Sequence, residues 1–260
     1  MRAMNKSAAV SETASDDEII EQMFAIGAHY AYSKSRRHPS MKPFIFGLKN
    51  KVEIIDLEKT RDMLSKAKTF VENLGREKKV LLFVSGKREA REIIMESAET
   101  VAMPYVNGRW IGGTFTNFTE IKKRIEKFEN LQSMKQKGEL SKYTKKEQLL
   151  IDKEISNLNE MFSGIVLMKK IPDAMFVVDS KQEKIAVMEA KKVGVPVLAL
   201  MSSDCDINDV DYPIVANDSS QSSIRHFVHE IMEAYKSGLK MSLPVSQEFP
   251  ADGDNVKVRI

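Results

Sequence analysis

The chain has 260 residues, enough for one large domain or two small ones with a substantial buried core. Charged residues make up 30% of it but the formal net charge is only +3, so overall charge names no partner and the distribution of charge must do so. The single cysteine, Cys205, excludes an intramolecular disulfide and a cysteine-only zinc site; with no signal-peptide-like apolar core and no apolar run long enough to cross a bilayer, a cytoplasmic location is expected.

Residues 1–15 are small and polar and are expected to be disordered. Ser15 and Glu18 form an S-x-x-E capping box that opens an amphipathic helix with Ile19, Ile20, Met23, Phe24 and Ile26, ended at Gly27. Between positions 22 and 52 there is no Asp or Glu, while Lys34, Arg36, Arg37, Lys42, Lys49 and Lys51 alternate with His29, Tyr30, Tyr32, His38 and Phe44. Pro39 and Pro43 discourage helix, so an extended loop is expected, leading into strands at 43–46 and 52–55. Cations and aromatics on an irregular segment suit RNA phosphates and unstacked bases; a solvated loop with its aromatics packed beneath is the other reading.

A helix over 58–74, ended at Gly75, precedes a buried strand at 80–84. The following turn, VSGKREA, fails as a phosphate-binding loop because Leu81 stands where a Gly is required and Arg88 where Ser or Thr is required. It leaves Lys87 and Arg88 at a helix N-terminus, either an anion site or a solvated first turn. That helix continues through Ile93, Ile94 and Ala98. The stretch PYVNGRWIGGTFTNF is a loop by its glycines, 108, 112 and 113, and holds the only tryptophan. We read Trp110 as a core plug and Arg109 as RNA-facing, since a guanidinium is too costly to bury unpaired.

Asn117 and Glu120 cap a helix with Phe118, Ile121, Ile125 and Phe128 on one stripe; Thr144 and Glu147 cap another with Ile151, Ile155, Leu158 and Phe162. Joined by a charged connector, the two predict an antiparallel helical hairpin, a coiled coil over 117–162 inserted in an α/β domain made of 16–116 and 163–238. Lys135, Lys137, Lys142, Lys145 and Lys146 crowd its tip, positioned for phosphate or simply solvated.

The run IPDAMFVVDSKQEKIAVMEAKKVGVPVLAL is a strand, a crossover helix and a parallel strand. Ser180 and Glu183 would cap the helix, Ile185, Ala186, Met188 and Ala190 would face the sheet, and Gly194 would end it. The acidic loop that follows, with Asp204, Asp206, Asp209 and Asp211, lacks the Gly and Glu of a calcium loop and is expected to be hydrated. A strand at 212–216 and a helix begun by Asp218 and Gln221 and ended by Gly238 complete the domain; 239–260 is expected to be a flexible tail. The fold class is therefore α/β, a Rossmann-like, doubly wound, mainly parallel sheet carrying the hairpin. Catalytic candidates are few. His226 and His229 lack the H-E-x-x-H arrangement, no G-x-S-x-G elbow or G-x-G-x-x-G turn occurs, and Asp179, where many α/β enzymes carry a ribose-binding or catalytic acid, is better explained as a turn residue before a helix cap. Neither cofactor nor metal is expected.

Six stretches, MKPFIFG, NKVEIIDLEKT, RWIGGTFTN, YTKKE, IPDAMFVVD and VGVPVLA, together resemble the second ribosomal protein family of the bacterial small subunit, over about residues 24–235. The resemblance implies a Rossmann-like domain with a protruding coiled coil and a non-enzymatic role in the small ribosomal subunit. It also implies contacts with 16S ribosomal RNA and neighbouring ribosomal proteins, including the large mRNA-binding first protein, through the basic segment and the hairpin. The chain departs from the family pattern at Ala31-Tyr32, where a Gly-His pair is usual, across residues 37–41, and at Gly108, where a His is common. The competing reading is an enzyme binding a nucleotide or sugar phosphate around Gly86, Lys87, Asp179 and Asp204.

Overall fold

The computed structural model describes residues 16–242. Five parallel strands form the central sheet: β4 (Leu81–Val84), β5 (Tyr105–Val106), β6 (Ala174–Val178), β7 (Val197–Met201) and β8 (Tyr212–Val215), in the order β5-β4-β6-β7-β8. Strand side chains alternate between the faces, which is why these strands read as unbroken apolar runs. Leu81, Phe83, Phe176, Leu198 and Ile214 enter one core with α2 (Leu57–Arg76), α3 (Arg91–Thr100) and α7 (Gln221–Ser242). Leu82, Val84, Val177, Ala199 and Val215 enter a second core with α6 (Lys184–Val193) and the Gly-rich loop. Winding therefore reverses between β4 and β6, because α3 covers one face and α6 the other. That reversal is the place where doubly wound sheets open a crevice at the carboxyl ends of their strands.

A second, antiparallel sheet precedes it: β1 (Tyr30–Ser33), β2 (Ile45–Lys49) and β3 (Val52–Ile55), in the order β1-β3-β2. Asn50 and Lys51 adopt φ of 50° and 67°, the left-handed pair of a two-residue hairpin turn. The expected extended loop is instead β1 and two short 3-10 turns, Lys34–Arg36 and Pro39–Phe44, because a proline's fixed φ suits the start of a tight turn as well as an extended chain. β5 falls within the stretch whose glycines predict a loop; its pairing with β4 makes it a strand.

Helix ends differ from expectation where tertiary contacts override local signals. α2 includes Gly75, and α7 runs through Gly238 to Ser242, so 239–242 are helical; the rest of the expected tail, and residues 1–15 with the Ser15 cap of α1 (Asp16–Ala25), lie outside the described residues. A Cβ at Gly238 would lie 2.0 Å from the Glu72 carbonyl oxygen, and one at Gly75 would lie 2.3 Å from that of Tyr235. These two glycines are where α2 and α7 touch backbone to backbone.

Two helices, α4 (Phe118–Gln136) and α5 (Lys145–Phe162), follow the Gly-rich loop. The Thr144–Glu147 capping box forms at α5, but Asn117 makes no side-chain cap for α4. On α6 the inward residues are Ala186, Val187, Glu189 and Ala190, whereas Ile185 and Met188 are 58% and 60% exposed. The Ser180–Glu183 box does not form either. Asp179 Oδ1 accepts from the Lys181 and Gln182 amides at 3.0 Å each, leaving Glu183 to accept from the Gly86 amide at 2.8 Å.

Candidate nucleic-acid interface

The basic segment lies across the carboxyl end of the sheet and is fixed there by the acidic loop that follows β7. His38 donates its amide to the Ser203 carbonyl at 2.8 Å, Tyr32 donates its amide to Ser203 Oγ at 3.2 Å, and the Ile207 amide donates to Ser40 Oγ at 3.2 Å. Arg36 pairs with Asp204 at 3.5 Å and sits over the Tyr32 ring, 4.0 Å from its centroid. Lys181 also reaches Asp204, and Lys191 reaches Asp209. The acidic loop is thus not merely hydrated; it is the counter-charge of the chain's own cations, a pairing that burial of Asp204 requires.

Arg37 turns inward. It donates to Glu53 at 2.7 Å, with side chains 20% and 2% exposed, so this arginine is spent inside the fold. Lys34, Lys42, Lys49 and Lys51 are exposed, and among the described residues none has an ion-pair partner. Arg88 and Arg109 are likewise exposed without one.

Lys87 is the clearest correction. Its side chain is 8% exposed, its ammonium lies 2.8 Å from Asp179 and 2.9 Å from Asp218, and it donates to the Asp218 carbonyl at 3.1 Å. It does not reach solvent as an anion site would. Burial disfavours its charge, but Asp218 and Asp179 outweigh that and raise its pKa. For Asp179, burial is outweighed by Lys87 and the turn amides, and its pKa is lowered; burial dominates at Asp218 and pushes it up to about 6. Cys205 donates to Asp179 Oδ1 at 3.6 Å, and burial pushes its thiol up to about 12. Asp179, Cys205 and Asp218 have the donor atoms of a cation site, and the positive charge among them is the Lys87 ammonium. Gly86, Lys87, Asp179 and Asp204 lie on turns at the carboxyl end of the sheet, as an enzyme cleft would require, but Lys87 is paired with Asp179, Asp204 with Arg36 and Lys181, and the Gly86 amide with Glu183.

The Gly-rich loop is organised by a residue that sequence reasoning missed. Glu189 of α6 accepts from the Gly113 amide at 2.6 Å, the Phe115 amide at 3.0 Å and the Thr116 amide at 3.3 Å, and from the Trp110 indole at 3.5 Å. Burial opposes its charge, but these donors prevail and lower its pKa. Gly113, at φ +92°, supplies the left-handed turn that aims the amides. Trp110 is 6% exposed, edge-on to Phe115 at 5.1 Å, in the core that also holds Ile121 and Phe162. The indole is a core plug, and Arg109 beside it is on the surface.

On the two helices, Lys127 pairs with Glu154, Lys135 with Asp152 at 2.8 Å, and Lys142 with Glu139 at 3.9 Å. Gln148 donates to the Leu140 and Tyr143 carbonyls at 3.0 and 2.9 Å, which pins the connector. Lys137, Lys145 and Lys146 are exposed, without ion-pair partners among the described residues.

Residues 23–238 match the family model described as ribosomal protein S2. The chain is 42% identical over 219 residues to the small ribosomal subunit protein uS2 of Coprothermobacter proteolyticus, covering 84% of this chain and 82% of the relative. It is 41% identical to the protein of the same name from Helicobacter hepaticus, with 84% and 83% covered, and 39% identical to that of Nitratiruptor, with 85% and 83% covered. The chain belongs to the ribosomal protein S2 family. Members are structural components of the ribosome rather than enzymes, which accords with a switch-point crevice filled by Lys87 and its carboxylates. Of the expected site residues, the fold gathers the basic segment, Arg88 and Arg109 around the strands' carboxyl ends or the sheet beside them, and carries the lysines of the helical connector on a separate element. Glu53 and Glu189 had a weak signal: each is an acid in an otherwise apolar stretch.

Proposed function

We propose that this member of the S2 family is a structural constituent of the small ribosomal subunit that holds 16S ribosomal RNA and neighbouring ribosomal proteins, among them the large mRNA-binding first protein. The observation that carries the reading is the asymmetry of the basic segment. Arg36 and Arg37 are held by carboxylates and fix the segment on the sheet, while Lys34, Lys42, Lys49 and Lys51 stay exposed and, among the described residues, unpaired. Rigid backbone with free cations is what phosphate binding needs, because little ordering entropy remains to be lost on contact.

Within this reading, 16–116 and 163–238 form the Rossmann-like domain, 117–162 is an inserted coiled-coil hairpin, and Lys137, Lys145 and Lys146 at its tip make a second RNA contact. Arg88 and Arg109 add to the first. The location is the cytoplasmic small subunit. Sedimentation of a cell lysate on a salt-stepped gradient tests it: the chain should travel with the small subunit and dissociate as salt rises. Recovery only at the top of the gradient at low salt would overturn the proposal.

A further inference from the structure

Outside the filled crevice, its outer lip remains open. A notch of about 250 Å³ there is lined by Gly86, Arg91, Arg109, Trp110, Gln182, Glu183 and Ile185. Arg91 comes from the first turn of α3 and Arg109 from the Gly-rich loop, and both are exposed with no ion-pair partner among the described residues. Glu183, the one acid of the lining, turns a carboxylate oxygen to the Gly86 amide at 2.8 Å and makes no ion pair with either guanidinium among the described residues; burial raises its pKa. Ile185 is 58% exposed, on the outward side of α6 with Met188, whereas Ala186, Val187 and Ala190 are buried.

We infer that this notch binds one nucleoside phosphate unit of a single-stranded RNA segment, with Arg91 and Arg109 on the phosphate and Ile185 beneath the base. The inference rests on the RNA-binding reading above and adds a site to it. Two guanidinium groups from separate elements suit the bidentate geometry of phosphate oxygens, and an unstacked base covers an apolar side chain that solvent otherwise meets. The notch is smaller than the roughly 300–1,000 Å³ of pockets that engulf a whole small ligand, so it takes one unit of a chain whose remainder stays outside.

Trp110, the only tryptophan, reports on the notch from its wall. Titrating the free protein with short single-stranded oligoadenylate should change its emission saturably, whereas AMP should act only at far higher concentration. Arg91→Gln with Arg109→Gln should weaken oligoadenylate binding about tenfold or more, as expected for losing charge-assisted hydrogen bonds. Ile185→Asp should weaken it comparably, with unchanged melting in both cases because all three side chains are exposed. AMP binding as tightly as the oligonucleotide would overturn the RNA assignment in favour of a free nucleotide. An emission unmoved by either probe, or moved equally in the variants, would overturn the notch altogether. Sedimentation of the unmodified chain with the small subunit distinguishes that failure from failure of the underlying function.

Discussion

Lys87 and Asp218, far apart in sequence, meet at 2.9 Å through their side chains and at 3.1 Å through the lysine ammonium and the aspartate carbonyl. With Asp179 they join the turns after β4, β6 and β8 beneath the basic segment. Removing the ammonium leaves two buried carboxylates without compensation. Lys87→Met should therefore cost about 3 to 5 kcal/mol of stability in denaturant titration. Because the side chain is inward, the folded fraction should keep the salt slope of RNA binding; a shallower slope would return Lys87 to the RNA surface.

Arg36 and Arg37 should behave differently although they are neighbours. Arg37→Glu brings a second carboxylate against buried Glu53 and should destabilise by about 2 to 4 kcal/mol, less than a fully buried pair because Arg37 keeps some exposure. Lys49→Glu with Lys51→Glu, on an exposed turn, should leave melting nearly unchanged and lower the RNA salt slope by about one unit per lost phosphate contact.

Glu189 gives a pH dependence whose sign is fixed by its lowered pKa. A depressed carboxyl stabilises the fold above its unfolded value of about 4.3, and that stabilisation is lost as pH falls through the lower folded value. Glu189→Gln should flatten the acid limb of stability and cost about 1 to 3 kcal/mol at neutral pH. Trp110→Ala, in the same cluster, should cost about 3 to 5 kcal/mol through the cavity it leaves. Blue-shifted, quencher-resistant emission from the unmodified protein checks the burial.

The domain division is tested by two deletions. Ile121, Ile125 and Phe162 share a core with Leu82, Val84 and Trp110, so removing residues 118–162 behind a Gly-Ser linker should abolish cooperative melting. Removing only 129–157 spares those side chains and should leave the α/β domain cooperative. Equal tolerance of both deletions would show that the helical base contributes nothing to the second core.

Gly238→Ala should destabilise by about 1 to 3 kcal/mol, since its Cβ would meet the Glu72 carbonyl across the α2–α7 contact. Ala at half-buried Gly108, where a Cβ meets nothing within 4 Å, is the control and should be near neutral.

The sequence by itself determined the parallel strands β4, β6, β7 and β8, the crossover helix between β6 and β7, the helices α4 and α5, and the family resemblance. Each depends on periodicity or contiguous residues, which a linear chain displays directly. Only the tertiary structure decided which charges remain free. Lys87 and Arg37 looked like their exposed neighbours, yet each is claimed by a carboxylate brought near by sheet order or strand pairing. The helices run through Gly75 and Gly238 for the same reason: a glycine ends a helix when its neighbours are solvent, but continues it when another backbone needs the space of its missing side chain. Ile185 and Met188 fitted an inward stripe by spacing, but α6 turns Ala186, Val187, Glu189 and Ala190 inward instead. A helix faces the direction that satisfies its partners, and the partners of Glu189 are amides of a loop more than seventy residues earlier.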